Sequence, residues 1–191
     1  MKAGTVRSML MGALCAAACT SSGAKASVTV LGPGPAQECF KIAEYGGDAS
    51  DGVARCTFAL ETALSLNDRA ATFVNRGVLR LRLHQDEQAL ADINAGLAIA
   101  PELGDAYVDR GAVAIALGRY EDALNDLNKG IALGPHRPQV AYYDRAIVYE
   151  HNGDIRAAYE DYKKALDIAP DFAPAAEELK RFRVVHKPGG V

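Results

Sequence analysis

The four histidines are the first residues to consider for chemistry, since imidazole binds metals and transfers protons near neutral pH. They are His84, His136, His151 and His186. No two lie three or four residues apart, the spacing that places two metal ligands on one helix face. The sequence also lacks a glycine-rich phosphate loop and a Gly-x-Ser-x-Gly elbow. We therefore expect no catalytic residue, no metal and no cofactor, and we interpret the protein as a non-enzyme.

The start of the chain has the pattern of a secretory signal peptide. Lys2 and Arg7 precede Met9 to Cys19, a short run of apolar and small residues. This run is too short to cross a bilayer as a helix. Ala24-Lys25-Ala26 supplies the small residues that cleavage requires. We predict a signal peptide over residues 1–26, with Ser27 as the first residue of the mature chain.

Export sets the expected location and the expected charge. An alternative makes Cys19, which follows three alanines, the lipid-modified cysteine of a bacterial lipoprotein. The protein is thus predicted to be periplasmic or secreted, with membrane contact only if Cys19 carries a lipid.

Loss of the three basic leader residues leaves 18 basic and 24 acidic residues, a net charge of −6. A chain this acidic is not expected to bind nucleic acid.

Cys39 and Cys56 are the two cysteines that remain after such cleavage. An oxidising compartment favours a disulfide between them, which would close a loop of about 17 residues and add about 3 kcal/mol of stability. The alternative is two buried thiols that never meet. The helical template below places Cys39 near the start of the first helix and Cys56 early on the second, and antiparallel packing keeps these two ends apart, which opposes the bond.

Comparison of the sequence with itself reveals three aligned segments, 70–103, 104–137 and 139–172. Apolar residues recur at helical spacing within each segment, so each is predicted to form two amphipathic helices. Glycines such as Gly118 and Gly153 mark the turns, and prolines end the second helices. The recurring columns, 34 and then 35 residues apart, are Gly77, Gly111 and Ala146; Ala89, Ala123 and Ala158; and Pro101, Pro135 and Pro170.

This 34-residue pattern resembles the tetratricopeptide repeat (TPR), in particular that of an exported bacterial TPR protein. The shared features are an aromatic residue (Phe73, Tyr107 or Tyr142), a small residue four positions later, a turn glycine, an alanine and a closing proline. The departures are His84 for the turn glycine, and Gly96 and Gly130 for alanine, at about 1 kcal/mol each in a helix. The resemblance implies an all-α superhelix of helix pairs.

The resemblance also implies a concave groove lined by the first helix of each unit and used to bind a protein or peptide. Acidic residues predominate along it, so a basic or mixed peptide is the expected ligand. Acids that only keep the stack soluble are an alternative. The predicted lining is Asn75, Val78, Arg82, Asp105, Asp109, Ala112, Tyr143, Asp144, Ile147 and His151.

A second set of charged columns is predicted to be structural. An aspartate follows each of three arginines by sixteen residues, on the second helix of the same unit. We expect an ion pair between the two helices in each unit, and the alternative is that the arginines bind an anionic ligand. The pairs are Arg76 with Asp92, Arg110 with Asp126, and Arg145 with Asp161.

The remaining segments are predicted to flank the stack. Residues 37–68 form a degenerate first pair, with Leu60, Leu64 and Leu66 on its second helix. Residues 173–186 form a capping helix, because a repeat stack must cover its last apolar face. Residues 27–36 are a linker and 187–191 a tail. Apolar residues of the first pair could support a homodimer.

The leading functional hypothesis is an adaptor of the bacterial envelope that binds another protein and catalyses nothing. A structural subunit of an envelope or secretion assembly is the second hypothesis. An enzyme with an unrecognised site is the third.

Overall fold

Helices make up most of the chain that the computed structural model describes, which is residues 5–8, 28 and 34–185. Consecutive helices pack as antiparallel pairs, and each pair packs on the next. The predicted all-α repeat fold is confirmed. The helices are α1 Pro35–Tyr45, α2 Ala49–Leu60, α3 Leu66–Arg82, α4 Asp86–Ile99, α5 Gly104–Ala116, α6 Tyr120–Leu133, α7 Pro138–His151, α8 Ile155–Ile168 and α9 Ala173–Leu179.

The three predicted repeats correspond to the pairs α3 with α4, α5 with α6 and α7 with α8. The turns inside the second and third repeats contain Gly118 and Gly153, with φ of 70° and 80°. Glycine adopts this left-handed conformation without strain. In the first repeat the equivalent residue is His84, which is also left-handed, with φ of 56°. The fold therefore imposes the same turn on a residue that disfavours it.

Glycines at the helix crossings allow close packing in the first two repeats, α3 with α4 and α5 with α6. A Cβ atom at Gly77 would lie 2.6 Å from Ile93 Cγ1. A Cβ at Gly96 would lie 2.9 Å from the Ala70 carbonyl oxygen, and one at Gly130 would meet the Gly104 carbonyl at 3.0 Å. Gly96 and Gly130 are therefore more than weak helix formers, since an alanine at either position would press against the backbone of the neighbouring helix.

The predicted arginine–aspartate pairs are present in all three repeats. Each arginine uses Nε and Nη2 to reach both carboxylate oxygens of its aspartate, at 2.7 to 3.0 Å. Its Nη1 also donates to the second helix of the preceding pair, at Thr57, Asn94 or Asn128. Each guanidinium lies over the aromatic ring three residues earlier, 5.2 to 5.5 Å from its centre. One arginine thus joins three helices.

The first helix pair departs from its predicted bounds. It consists of α1 and α2 and ends at Leu60, so the placement of Leu64 and Leu66 on its second helix was wrong. Leu66 instead begins α3, because the Ser65 hydroxyl accepts a hydrogen bond from the Asp68 amide and caps that helix.

The glycine-containing stretch 46–52 forms a tighter turn than predicted. Asp48 caps α2 by accepting a hydrogen bond from the Asp51 amide at 2.7 Å, so Gly52 lies within the helix. Because the turn is short, Cys39 and Cys56 face each other near the middle of α1 and α2. Their Cα atoms are 4.9 Å apart, and the structure joins their sulfurs. The expectation that these residues lie at opposite helix ends was therefore wrong.

The C-terminal cap is shorter than the predicted helix 173–186. Helix α9 ends at Leu179, and strand β2 (Phe182–Val185) follows. Consecutive valines disfavour helix here, since β-branched side chains lose χ1 freedom in it. The ring of Phe182 lies 5.7 Å from that of Tyr159 and 5.9 Å from that of Tyr162, and so covers the last pair.

Strand β1 (Thr5–Ser8) pairs antiparallel with β2. The rest of the predicted leader, including Cys19, lies outside the described residues, as does the predicted tail 187–191. Of the predicted linker 27–36, the structure describes Val28 and 34–36. Helix α1 begins at Pro35, inside that linker, because the fixed φ of proline suits the first helical position.

Candidate functional site

The first helices of the repeats, α3, α5 and α7, lie side by side and present one polar residue each at the same register. These residues are Asn75, Asp109 and Asp144, spaced 34 and 35 residues apart like the small-residue column. All three are buried, with side chains 0%, 3% and 8% exposed. We call them the polar column. The surface that α3, α5 and α7 form around these residues is called the wall below. A buried polar group needs a hydrogen-bond partner, so the partner of each member indicates which chemical groups the wall can bind.

Asn75 holds the backbone of a residue far away in the chain. Its Nδ2 donates to the Val28 carbonyl at 2.9 Å, and its Oδ1 accepts from the Val28 amide, also at 2.9 Å. Both backbone groups of one residue are thus bonded to one amide side chain, as a neighbouring β-strand would bond them. The Val28 side chain is buried and belongs to the same apolar cluster as Ala36 and Ala71.

Asp109 has a carboxylate oxygen with no donor. Its Oδ2 is buried and has no hydrogen-bond partner. Burial raises the pKa of Asp109 well above its ordinary value, and the charges of Asp105 and Asp144 raise it further, whereas Arg82 and Arg137 oppose the shift. An orphan acceptor of this kind costs about 1–3 kcal/mol. A ligand that supplied an N–H donor would remove that cost.

Asp144 continues the column on α7. Burial raises its pKa to about 7, so its carboxyl group titrates near neutral pH. A cation beside it would favour the charged form and lower this pKa. The column therefore changes from an amide at Asn75, which both donates and accepts, to carboxyl groups at Asp109 and Asp144, which when ionised can only accept.

Asp105 and Arg82 are occupied by other parts of the protein. Asp105 accepts from the His136 amide at 2.9 Å and contacts His136 Nδ1 at 2.6 Å. This hydrogen bond and the carboxylate charge raise the pKa of His136. Arg82 donates to the carbonyl oxygens of Ile42, at 3.1 Å, and Ala43 at the end of α1.

The other predicted lining residues differ in exposure. Val78 is buried in the stack, and Ala112 and Ile147 are partly buried. The Tyr143 ring packs 5.6 Å from the rings of both Tyr162 and Phe172. His151 is exposed and stacks on Tyr120 of α6, 3.5 Å between ring centres. The groove lining as a whole stays a prediction.

Sequence reasoning missed Val28, which it assigned to a linker. The alternation Val28-Thr29-Val30 was the available signal, since it is typical of an extended segment. The partner position could not be found, because 47 residues separate Val28 from Asn75.

Within the described part of the chain, no group of three or more histidine, cysteine, aspartate or glutamate side chains could hold a metal ion. A search of the same residues finds no helix with the length and apolar character needed to span a membrane.

Known proteins resemble this chain in two ways. The family model of the tetratricopeptide repeat matches residues 140–172, which cover most of α7 and all of α8, the third repeat. No curated protein sequence matches the chain. The sequence pattern of the family is thus detected in one pair.

Solved structures share the fold of the whole stack. PilW, described as a widely conserved type IV pilus biogenesis factor, is 21% identical, with 77% of this chain and 66% of PilW covered and a TM-score of 0.67. YrrB, described as a TPR protein with an unusual peptide-binding site, is also 21% identical, with 74% and 75% covered and a TM-score of 0.57. The first TPR of Spaghetti (RPAP3), bound to the HSP90 peptide SRMEEVD, is 20% identical, with 60% and 90% covered and a TM-score of 0.56. The chain therefore has the fold of a TPR stack.

Proposed function

We propose that this protein, a stack of TPR-fold helix pairs, is a non-enzymatic scaffold that holds an extended segment of another protein along the polar column. The observation that carries the proposal is the pair of hydrogen bonds between Asn75 and the Val28 backbone. These bonds support the proposal because they hold main-chain groups at this wall, and every peptide offers the same groups. Peptide complexes of the same fold, such as the RPAP3 domain, support the same class of function.

The preferred ligand carries basic side chains. Asp109 and Asp144 follow Asn75 along the wall, and Asp109 Oδ2 lacks a donor. A lysine or arginine side chain would supply that donor, and its charge would favour the ionised form of both carboxyl groups. The RPAP3 peptide SRMEEVD is rich in acidic residues, whereas the ligand proposed for this chain is basic.

A binding measurement with two defined peptides tests this proposal. The probes are a fluorescent peptide of alternating lysine and valine and its counterpart with glutamate in place of lysine. We expect the lysine peptide to bind at least about tenfold more tightly, because charge complementarity suppresses the wrong partner. High salt should weaken this binding, since it screens charges at the rim.

Charge removal identifies the residues responsible. Asp109→Asn with Asp144→Asn keeps the shape of both side chains and should lower the affinity for the lysine peptide about tenfold or more. Asp109→Lys with Asp144→Lys should abolish it. Asp122→Asn is the matched control, because it removes an acidic side chain from α6, a second helix that lies outside the polar column. Equal affinity of the unaltered chain and the double variants would rule this wall out as the binding site.

We further propose that the protein works in the bacterial envelope, periplasmic or secreted, or lipid-anchored at Cys19. The predicted leader supports this location, and the pairing of Cys39 with Cys56 suits an oxidising compartment. Cleavage after Ala26 would remove β1 and leave β2 without its partner strand. Mass spectrometry of the protein from its native envelope, before and after reduction, tests the bond and the cleavage site together.

The second candidate function is a structural subunit of a larger envelope assembly. Large apolar side chains on the first helix pair and at the start of α3 favour it, since Tyr45, Phe58 and Leu66 are 75%, 59% and 71% exposed. Such residues are candidates for a permanent interface, including a homodimer. Light scattering of the purified chain decides the dimer: a mass of one chain at micromolar concentration argues against it.

A further inference from the structure

We infer that Asn75 and the apolar cluster beside it form a subsite for one extended residue with an apolar side chain, and that Val28 is its resident occupant, which an incoming partner must displace. The wall therefore has an internal competitor as well as an external ligand. This inference rests on the proposed function, since both depend on an extended segment that lies against the polar column, and it adds which side chain is accepted beside Asn75.

The contacts of Val28 are those of a bound ligand. Its amide and carbonyl are both bonded to Asn75, and the structure assigns the residue to no helix and no strand. Backbone bonds to a side chain are independent of sequence, so they fix position without selecting an amino acid. Any segment that can extend locally could replace Val28 in them.

The side-chain environment of Val28 supplies the selectivity. Val28 is 8% exposed and belongs to an apolar cluster that includes Ala36, Ala71 and Val74. Because the buried members of this cluster are apolar, a charged side chain would lose its hydration there without gaining a partner. We therefore expect an apolar side chain such as valine or isoleucine at this subsite and expect aspartate to be rejected.

Covalent connection gives Val28 an advantage over a free ligand. A tethered segment acts at a high effective concentration, in the millimolar range for short flexible connections. An external peptide of the same sequence should therefore bind poorly while Val28 is in place. The predicted cleavage site lies between residues 26 and 27, so Val28 would be the second residue of the mature chain.

A competition experiment tests the inference with a probe taken from the protein itself. The probe is a fluorescent peptide with the sequence of residues 27–34, Ser-Val-Thr-Val-Leu-Gly-Pro-Gly. It is titrated against the full chain and against the full chain with Val28→Asp. We expect the variant to bind the probe at least tenfold more tightly than the unaltered chain, because its own residue no longer fills the subsite.

Three controls accompany this measurement. A probe with aspartate at its second position should not bind the Val28→Asp chain. Adding Asn75→Ala to that chain should abolish probe binding, whereas Asn67→Ala, an exposed position on the same helix, should leave it unchanged. Val28→Ser, a milder change, provides the same comparison if Val28→Asp lowers the melting temperature strongly.

The outcomes separate the inference from the proposed function. Equal probe affinity for the unaltered and Val28-substituted chains, or no binding to either, would overturn the inference and make Val28 a fixed part of the fold. The lysine peptide is measured on the same proteins. Its binding reports on Asp109 and Asp144, so failure of the proposed function and failure of the inference give different results.

Discussion

At the scale of single residues, His84 lies in a conformation that its side chain disfavours. Its φ is 56°, whereas the equivalent turns contain glycine at Gly118 and Gly153. We predict that His84→Gly raises the free energy of unfolding by about 0.5–1 kcal/mol, since relief of left-handed strain exceeds the added freedom of the unfolded chain. Urea denaturation measures this change.

The reciprocal substitution is the control for His84. A Cβ atom at Gly118 would meet nothing within 4 Å, so Gly118→Ala introduces backbone strain without a steric clash. It should lower the free energy of unfolding by about 1–2 kcal/mol. If both changes were neutral, the turns would not be under the conformational constraint described here.

The buried carboxyl group of Asp144 makes stability depend on pH. Its pKa is about 7 in the folded chain, well above the value of an unfolded aspartate. Between about pH 4 and pH 7 the folded state therefore binds the proton more tightly than the unfolded state, and stability falls as pH rises through this window. The pKa of His136 is also raised in the folded chain, so the stability that its protonated form contributes is likewise lost as the pH rises through that raised pKa.

We predict that Asp144→Asn flattens this decline. At pH 8 the variant should be more stable than the unaltered chain by about 2–4 kcal/mol, whereas at pH 4 the two should be nearly equal. Thermal melting across this pH range is the measurement. A variant that is less stable at pH 8 would mean that the Asp144 carboxylate has a stabilising partner.

At the scale of helices, the three arginine–aspartate pairs, called the arginine ladder here, connect each helix pair to the preceding one. Arg110 is bonded to Asp126 of its own pair and to Asn94 of the preceding pair. Arg110→Leu leaves a mostly buried carboxylate without its cation, and we predict a loss of about 2–3 kcal/mol. Differential scanning calorimetry should reveal a clearly lower melting temperature.

An exposed ion pair serves as the comparison for Arg110. Arg119 lies 2.7 Å from Glu87, and both side chains are largely in water, at 43% and 67% exposed. Arg119→Leu should cost about 0–1 kcal/mol. Affinity for the lysine peptide should survive both changes. Loss of affinity at unchanged stability in Arg110→Leu would instead assign the ladder to an anionic ligand.

The helices were predictable from the sequence where local signals agreed with the fold. Columns such as Gly77, Gly111 and Ala146 predicted the three repeats and their turns. The first pair was misplaced because the template aligned Cys56 with the small-residue column, while the actual boundaries depend on the caps formed by Asp48 and Ser65. The link from each arginine to the preceding pair was missed, since the distance between pairs depends on three-dimensional packing.

At the scale of the whole molecule, the fold is a stack whose first helices share one wall. The sequence predicted that this wall carries Asn75, Asp109 and Asp144. It could not predict that Asn75 is occupied by Val28, that Asp105 is paired with His136, or that Asp109 has an unpaired oxygen. Those facts depend on contacts between residues that are distant in the chain.

The central claim is that the polar column holds an extended basic segment. Titration of the isotope-labelled chain with the lysine peptide, followed by NMR chemical shifts, tests it most directly. We predict the largest shifts at Asn75, Asp109 and Asp144, with little change at Asn94 and Asn125 on the second helices. Shifts confined to the second helices would contradict the account, as would a spectrum that the peptide leaves unchanged.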